Sequence, residues 1–598
     1  MGLALGVKMG ELAHARWFNR RAVGARALQP KKIAWVYQAF MLKVHHTGMA
    51  RIDFSARAAG LSRRLRALAL GTLAGALALG LGAPAWAQSP SLSASSPILP
   101  GLGEGTDISP AAERKLGDSV ARALYRDPDY LDDPVLHDYV QSLWQPLLQA
   151  ARARGDLGPD LDDVFAWDIF LLRERAVNAY ALPGGYFVFY LGIMGMMQTR
   201  DELASVMGHE LSHVTQRHFA RKTDKDAART PWVLGGMVLG LIAASKGQVN
   251  CNALNQCTNS GYDAANALIT GSQALAIQSA LNYSRDMERE ADRTGYGVAV
   301  QAGFAPQGFV SMFEKLQQSM RNNDSGGFPY LRSHPLSAER MADMQSRIGV
   351  PQASNKAPDG DWEALLMAAR ARWFADSGID AMMRWQGDVQ PTALAAKTAP
   401  QQAAALYGAA LAALKLRAFD QASALADQLA RLAGAPPVLD RLVRLLRTDI
   451  ALAQDQVAVA RAAMAAAVRP ADGRDMALDR AELLMRAQVE VRNQDAALAA
   501  SALHSWTVQY PRDLGAWRAL GAAYEAQGRM VAAIRAQAHA DGLQYDWAAA
   551  LGRLRAAQDL VRKGDWGAYG PDHVEATIVD TRAREIVQLM LEQAKQQR

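Results

Sequence analysis

His209-Glu210-Leu211-Ser212-His213, an HExxH sequence inside an apolar helical pattern, is the stretch on which the reading of this chain turns. Four-residue spacing sets the two imidazoles one turn apart on one helix face, with Glu210 beside them. A zinc peptidase holds its metal in this way. Zinc lowers the pKa of a water to about 7, and the glutamate accepts its proton as the resulting hydroxide attacks a peptide carbonyl. Five residues alone describe equally well a helix with two incidental histidines, so the rest of the chain must decide.

Working outward, Thr199 and Glu202 form a capping-box signature with Asp201 at the positive helix end, which predicts a helix running to about Arg221. Val164 to Leu172 and Tyr186 to Tyr190 are aromatic and β-branched, with Leu182-Pro183-Gly184-Gly185 as the turn between them, and predict a small sheet. An extended substrate could add to the edge of the Tyr186 to Tyr190 strand. A second long helix is expected over about Ala264 to Gly295, and it contains Tyr283-Ser284-Arg285-Asp286-Met287-Glu288-Arg289-Glu290-Ala291-Asp292. A peptidase zinc site needs a third protein ligand. Glu288 and Asp292 share a face, so Glu288 can ligate while Asp292 accepts a hydrogen bond from a ligating imidazole. Gly303 to Ile348 holds a further helix and the loop Ser333-His334-Pro335-Leu336.

Taken together, HExxH, the ExxAD of Glu288 to Asp292, His334-Pro335 with a downstream Arg340, and Asn178-Ala179-Tyr180-Ala181-Leu182-Pro183-Gly184-Gly185 resemble the HtpX and CAAX prenyl protease group of zinc peptidases. Within that group they are most similar to the BepA-like, soluble periplasmic branch, and the resemblance covers roughly residues 96 to 350. It implies one Zn2+ per chain, held by His209, His213 and Glu288, with Glu210 as general base and Asp292 behind a ligand. It also implies one of two roles for His334. Either it fills the fourth zinc position and keeps the enzyme inactive until its loop moves, or it swings off the metal and donates to the tetrahedral oxyanion. Arg340 either orients this loop, binds substrate or is a surface arginine. Glu290 is a rival ligand that points to another helix face. His218, five residues past the motif, should face away from the His209 and His213 side and be structural.

Beyond Pro351 to Gly360, taken as the domain boundary, the chain is Ala-rich and helical. Trp517-x-x-Leu520-Gly521-x-x-Tyr524, followed by Ala533 and Ala540, fits a tetratricopeptide repeat; Ala404 to Leu411 with Gly408, followed by Phe419 to Leu432, is a weaker second example. The expected fold is mainly α with a small β-sheet in a zincin-type metallopeptidase domain (111–350), a helical connection (351–395) and an all-α tetratricopeptide-repeat domain (396–598).

The net charge of +6 is unevenly spread, because residues 1–87 carry 13 Lys or Arg against Glu11 and Asp53, leaving about −5 for the remainder. The pI of 9.2 therefore argues for no nucleic-acid partner. Arg63, Arg64 and Arg66 precede an apolar run ending in Ala85-Trp86-Ala87, the pattern of a secretory signal with cleavage after Ala87 and export to the periplasm. That reading makes 49–87 the signal peptide, 1–48 an upstream extension and 88–110 a linker. In an oxidising compartment Cys251 and Cys257, the two cysteines of the chain, are expected to pair. Trp232 to Ala244 is too short to span a membrane and suits a buried or interfacial helix, a peripheral membrane contact. The function expected is a periplasmic endopeptidase of protein quality control whose repeats dock on outer-membrane assembly machinery. The alternative is a chaperone or adaptor acting mainly through its repeats.

Overall fold

A computed structural model of the protein describes residues 108–227, 283–321, 330–348, 361–376, 378–465, 479–566 and 570–596. Residues 98–598 form one compact unit. The expectations for the leader, for Cys251 and Cys257 and for Trp232 to Ala244 fall outside the described residues. Among the described residues no helix is long and apolar enough to cross a membrane.

Two helices lead in: α1 (Pro110–Leu124) and α2 (Pro134–Arg154), each with proline in its first turn and a capping side chain before it. The Asp133 carboxylate accepts the Leu136 N–H at 2.9 Å. A four-stranded sheet follows, in the order β1 (Tyr130–Leu131), β2 (Asp168–Leu172), β4 (Tyr186–Tyr190), β3 (Ala179–Leu182). Its central strand is buried on both faces. Phe187 and Phe189 join the core that includes Trp144 of α2, whereas Tyr186, Val188 and Tyr190 join a second cluster with Phe170 and Tyr180, as a two-residue period requires. Sequence reading placed the Leu182 to Gly185 turn between β2 and β4. It instead closes the β3–β4 hairpin, with Gly184 and Gly185 at φ +77° and +78°. β4 is thus paired on both sides, parallel to β2 and antiparallel to β3, and the sheet edge beside the motif is β3.

After a short helix α3 (Leu191–Met196), the motif helix α4 (Arg200–Thr215) starts at the expected capping box. It ends earlier than expected: Arg217 takes a left-handed φ of 51°, and the chain restarts as α5 (His218–Ala227) in a new direction. Likewise, Ser284 caps α6 (Arg285–Gln301), its hydroxyl accepting from Met287 N, so this helix begins at Arg285 and not near Ala264. Next come α7 (Gln307–Arg321), α8 (Tyr330–Ser333) and α9 (Ala338–Ile348).

Among its described residues, the C-terminal region has helices and no strand. α10 (Trp362–Ala375) buries Leu366, Met367 and Ala369 against α3 and α12 (Ala399–Lys415), with α11 (Ile379–Asp388) between. Consecutive helices pack on one another from there to Gln596. Left-handed residues recur two positions past a helix end at Arg417, Asp455, Gln494 and Gly528, intervals of 34 to 39 residues. Small residues set the approach of the helices: a Cβ on Gly408 would lie 2.3 Å from the Trp385 ring. One hydrophobic core runs from Leu131 to Val489, and ion pairs such as Arg370–Asp133 (2.7 Å) and Arg480–Asp132 (2.7 Å) tie the region to the end of the β1–α2 turn.

Candidate metal centre

Helices α4 and α6 cross at Gly208 and Gly295. A Cβ on Gly295 would lie 2.8 Å from the Gly208 carbonyl and 2.9 Å from His209 N. This contact of two backbones brings the histidines of one helix onto the acids of the other. His209, His213, Glu288 and His334 converge, each offering a ligand atom within 4.8 Å of the others, and all four are buried. The Nε2 atoms of His209 and His213 are 3.0 Å apart. His334 Nδ1 lies 3.3 Å from His209 Nε2 and 3.0 Å from Glu288 Oε1. Glu288 stands 3.5 and 3.6 Å from the two motif imidazoles.

These donors fit zinc. Ligands at 2.0–2.1 Å from a tetrahedral ion stand about 3.3 Å apart, the spacing found here. The outer hydrogen bonds point the same way. His209 Nδ1 is 2.9 Å from Asp292 Oδ1, and since a carboxylate only accepts, Nδ1 carries the hydrogen and Nε2 presents its lone pair inward. Two such nitrogens 3.0 Å apart are satisfied by a shared proton or by a cation, and the carboxylate and third imidazole beside them suit a cation.

Charge around the site is balanced by burial and pairing. Burial opposes a proton on His209, but without a metal the hydrogen bonds to Asp292 and Glu288 outweigh it and raise this imidazole to about 9, and a bound cation would displace that proton from Nε2. Burial lowers His213 well below the usual imidazole value, against the pull of Glu288. Burial alone would raise both carboxyls. His334 and His209 instead hold Glu288 well below its ordinary range, and Arg340 and His209 hold Asp292 down.

Arg340 is buried, not on the surface. Its guanidinium meets Asp292 at 2.6 and 2.7 Å, Glu288 at 2.9 Å, and donates to the Pro335 carbonyl at 2.9 Å. The loop bearing His334 is further held by Tyr330, whose N–H donates to Val177 O at 3.2 Å and whose ring centroid is 4.7 Å from that of His334. Glu210 faces the same space: its Oε2 accepts the Ala181 N–H of β3 at 3.0 Å, while Oε1 is 3.5 Å from His334 Nε2. Both of these facing atoms are buried without a hydrogen-bond partner.

Glu290 leaves the centre, as its helix face predicted, and pairs with His218 and Arg221. His218 does not face away. Because α4 ends at Thr215, the five-residue offset no longer applies, and His218 Nδ1 lies 2.8 Å from His213 Nδ1. Tyr283, stacked on His213 with centroids 4.2 Å apart, is another neighbour missed by sequence reasoning. Neither carries a spacing signal, since both are set by chain breaks.

The fold and this donor set define the class, a metallopeptidase. Residues 138–348 match the model of peptidase family M48, and together with the four-donor group this match marks the chain as a zinc metalloendopeptidase. Among curated proteins, the beta-barrel assembly-enhancing protease of Escherichia coli (strain K12) is 28% identical over 515 residues, 84% of this chain and 94% of the relative. A Vibrio cholerae protein provisionally given the same description is 31% identical over 348 residues, 57% of this chain and 65% of its own length. The mitochondrial metalloendopeptidase OMA1 of Saccharomyces cerevisiae is 24% identical over 266 residues, 43% of this chain and 69% of the relative.

Proposed function

We propose that this chain is a zinc-dependent endopeptidase of the periplasm that acts on proteins misassembled on their way to the outer membrane. His209, His213 and Glu288 are its zinc ligands, Glu210 its general base and His334 its switch. The observation that carries the reading is the convergence of four buried donors with an unpartnered Glu210 oxygen at their edge.

Zinc, when bound, polarises the scissile carbonyl and makes water acidic. The remaining work falls to the chain. The bond from Ala181 fixes Oε2 of Glu210 and leaves Oε1 to take the proton of the attacking water and pass it to the leaving amine. A substrate strand adds to β3, not to the interior strand β4. Because Ala181 N–H turns outward to Glu210, alternation directs the Ala179 backbone groups outward as well. Main-chain pairing of this kind selects for extended, unfolded segments more than for sequence. His334 Nδ1 faces the point shared by the other three donors, so it fills the position water needs, and Arg340 keeps its loop there through Pro335. The helical pairs, read as tetratricopeptide-like repeats, dock on assembly machinery; the names of the bacterial relatives support that setting. The leader, cleaved after Ala87, delivers the chain.

Zinc content and casein degradation of the wild type, Glu210→Gln and His334→Ala test this together. Glu210→Gln should keep zinc and lose proteolysis. His334→Ala should keep zinc and degrade casein faster; slower degradation would favour the oxyanion role. A wild type without zinc overturns the reading, and a proteolytically dead Glu210→Gln that still complements a deletion favours the adaptor.

A further inference from the structure

His213 meets the other three donors with Nε2, yet its other nitrogen faces not a carboxylate or carbonyl but a second imidazole. His218 Nδ1 lies 2.8 Å from His213 Nδ1, and His218 Nε2 lies 3.2 Å from Glu290 Oε2. Arg221 Nη1 holds both oxygens of Glu290 at 3.0 and 3.1 Å. The four residues form a chain running outward from the centre, parallel in purpose to His209–Asp292–Arg340 but built with one more link.

The order of protons along it follows from what each group can do. Two facing nitrogens at 2.8 Å share one hydrogen. A carboxylate accepts only, so Glu290 takes the Nε2–H of His218. A neutral His218 with its hydrogen on Nε2 has a lone pair on Nδ1, and must therefore accept from His213. The His213 hydrogen is then on Nδ1 and its Nε2 lone pair points inward. Were His218 to donate instead, His213 would carry its hydrogen on Nε2, aimed at the ion. The break after Thr215 exists at the right place for this: Arg217 at φ 51° turns the chain so that α5 begins with His218 under His213.

We propose that His218 is a positioning residue for zinc, which fixes the tautomer and ring orientation of His213 and is itself set by Glu290. This rests on the reading of His213 as a zinc ligand. The predicted size is that of an outer partner of a metal-bound histidine, about 10- to 100-fold in metal affinity.

The test is the zinc dissociation constant of the purified full-length protein, measured by competition with a chromophoric chelator, with the thermal midpoint of the metal-free protein as a check on folding. His218→Phe should weaken zinc by about 10- to 100-fold. His218→Asn, whose amide oxygen can stand where Nδ1 stood and accept from His213, should restore affinity to within about threefold, which loss of packing alone would not do. Glu290→Gln should also weaken zinc, because its amide can donate to His218 and reverse the chain, but should have no further effect on top of His218→Asn, which has no tautomer to set. The inference is overturned if His218→Phe binds zinc like the wild type, if His218→Asn is as weak as His218→Phe, or if Glu290→Gln weakens zinc equally in both backgrounds. Failure of the wild type itself to bind zinc would instead sink the metal site.

Discussion

Arg340 clasps Asp292 with two nitrogens, at 2.6 and 2.7 Å, though 48 residues separate them and both are buried. The planar fork of a guanidinium suits a carboxylate in a way that an ammonium does not, and here its third nitrogen also reaches Glu288. Arg340→Lys keeps the charge but cannot keep all three contacts. We expect zinc to bind about 10- to 100-fold more weakly in a chain that still folds. Unchanged zinc affinity in Arg340→Lys would mean that Asp292 orients His209 unaided.

The crossing of α4 and α6 at two glycines sets the distance between the ligand-bearing faces. In Gly295→Ala the added methyl meets backbone at 2.8 Å, and backbone yields less readily than a side-chain tip. Overpacking of this kind costs about 1–3 kcal/mol. Both the unfolding midpoint of the metal-free protein and the zinc affinity should fall. A stabilised Gly295→Ala variant with normal zinc binding would contradict the role given to this crossing.

If substrate pairs with the edge of β3, backbone donors of the substrate matter. A casein peptide that the enzyme cleaves, resynthesised with N-methyl groups on alternate amides, should lose about tenfold or more in turnover in one register and little in the other. Equal cleavage of both registers would argue for a different mode of binding.

Asp449 provides a pH test away from the metal. Burial raises its carboxyl to about 6, the attraction of Arg370 being too small to offset it, and the repulsion of Asp133 adds to the rise. The folded value thus lies above the unfolded one. The stabilisation is full below about pH 4 and is lost as pH rises through about 6. Asp449→Asn, neutral throughout, should unfold at higher denaturant than the wild type at pH 8, by about 1–3 kcal/mol, and alike at pH 4. The same difference at both pH values would point to packing and not to charge.

Much of the site was legible because its elements are local. Four-residue spacing puts His209 with His213 and Glu288 with Asp292 on shared faces whatever the rest of the chain does, and Thr199 with Glu202 caps α4 as the capping box predicts. The sheet was only partly legible. β1 has two residues and β3 four, too short to show alternation, and so the turn at Gly184 and Gly185 was assigned to the wrong pair of strands.

By itself, then, the sequence determined which residues could ligate a metal, where the motif helix begins and that a helical region follows. Only the tertiary structure decided that β3 and not β4 is the edge, that Arg340 is buried between two carboxylates, and that His218 turns under His213. Each of these depends on a break or crossing of the chain: the left-handed Arg217, the Gly208–Gly295 contact and the return of the His334 loop. Periodicity describes a helix only as far as the helix lasts, and what lies beyond its end is set by packing between segments far apart in the chain.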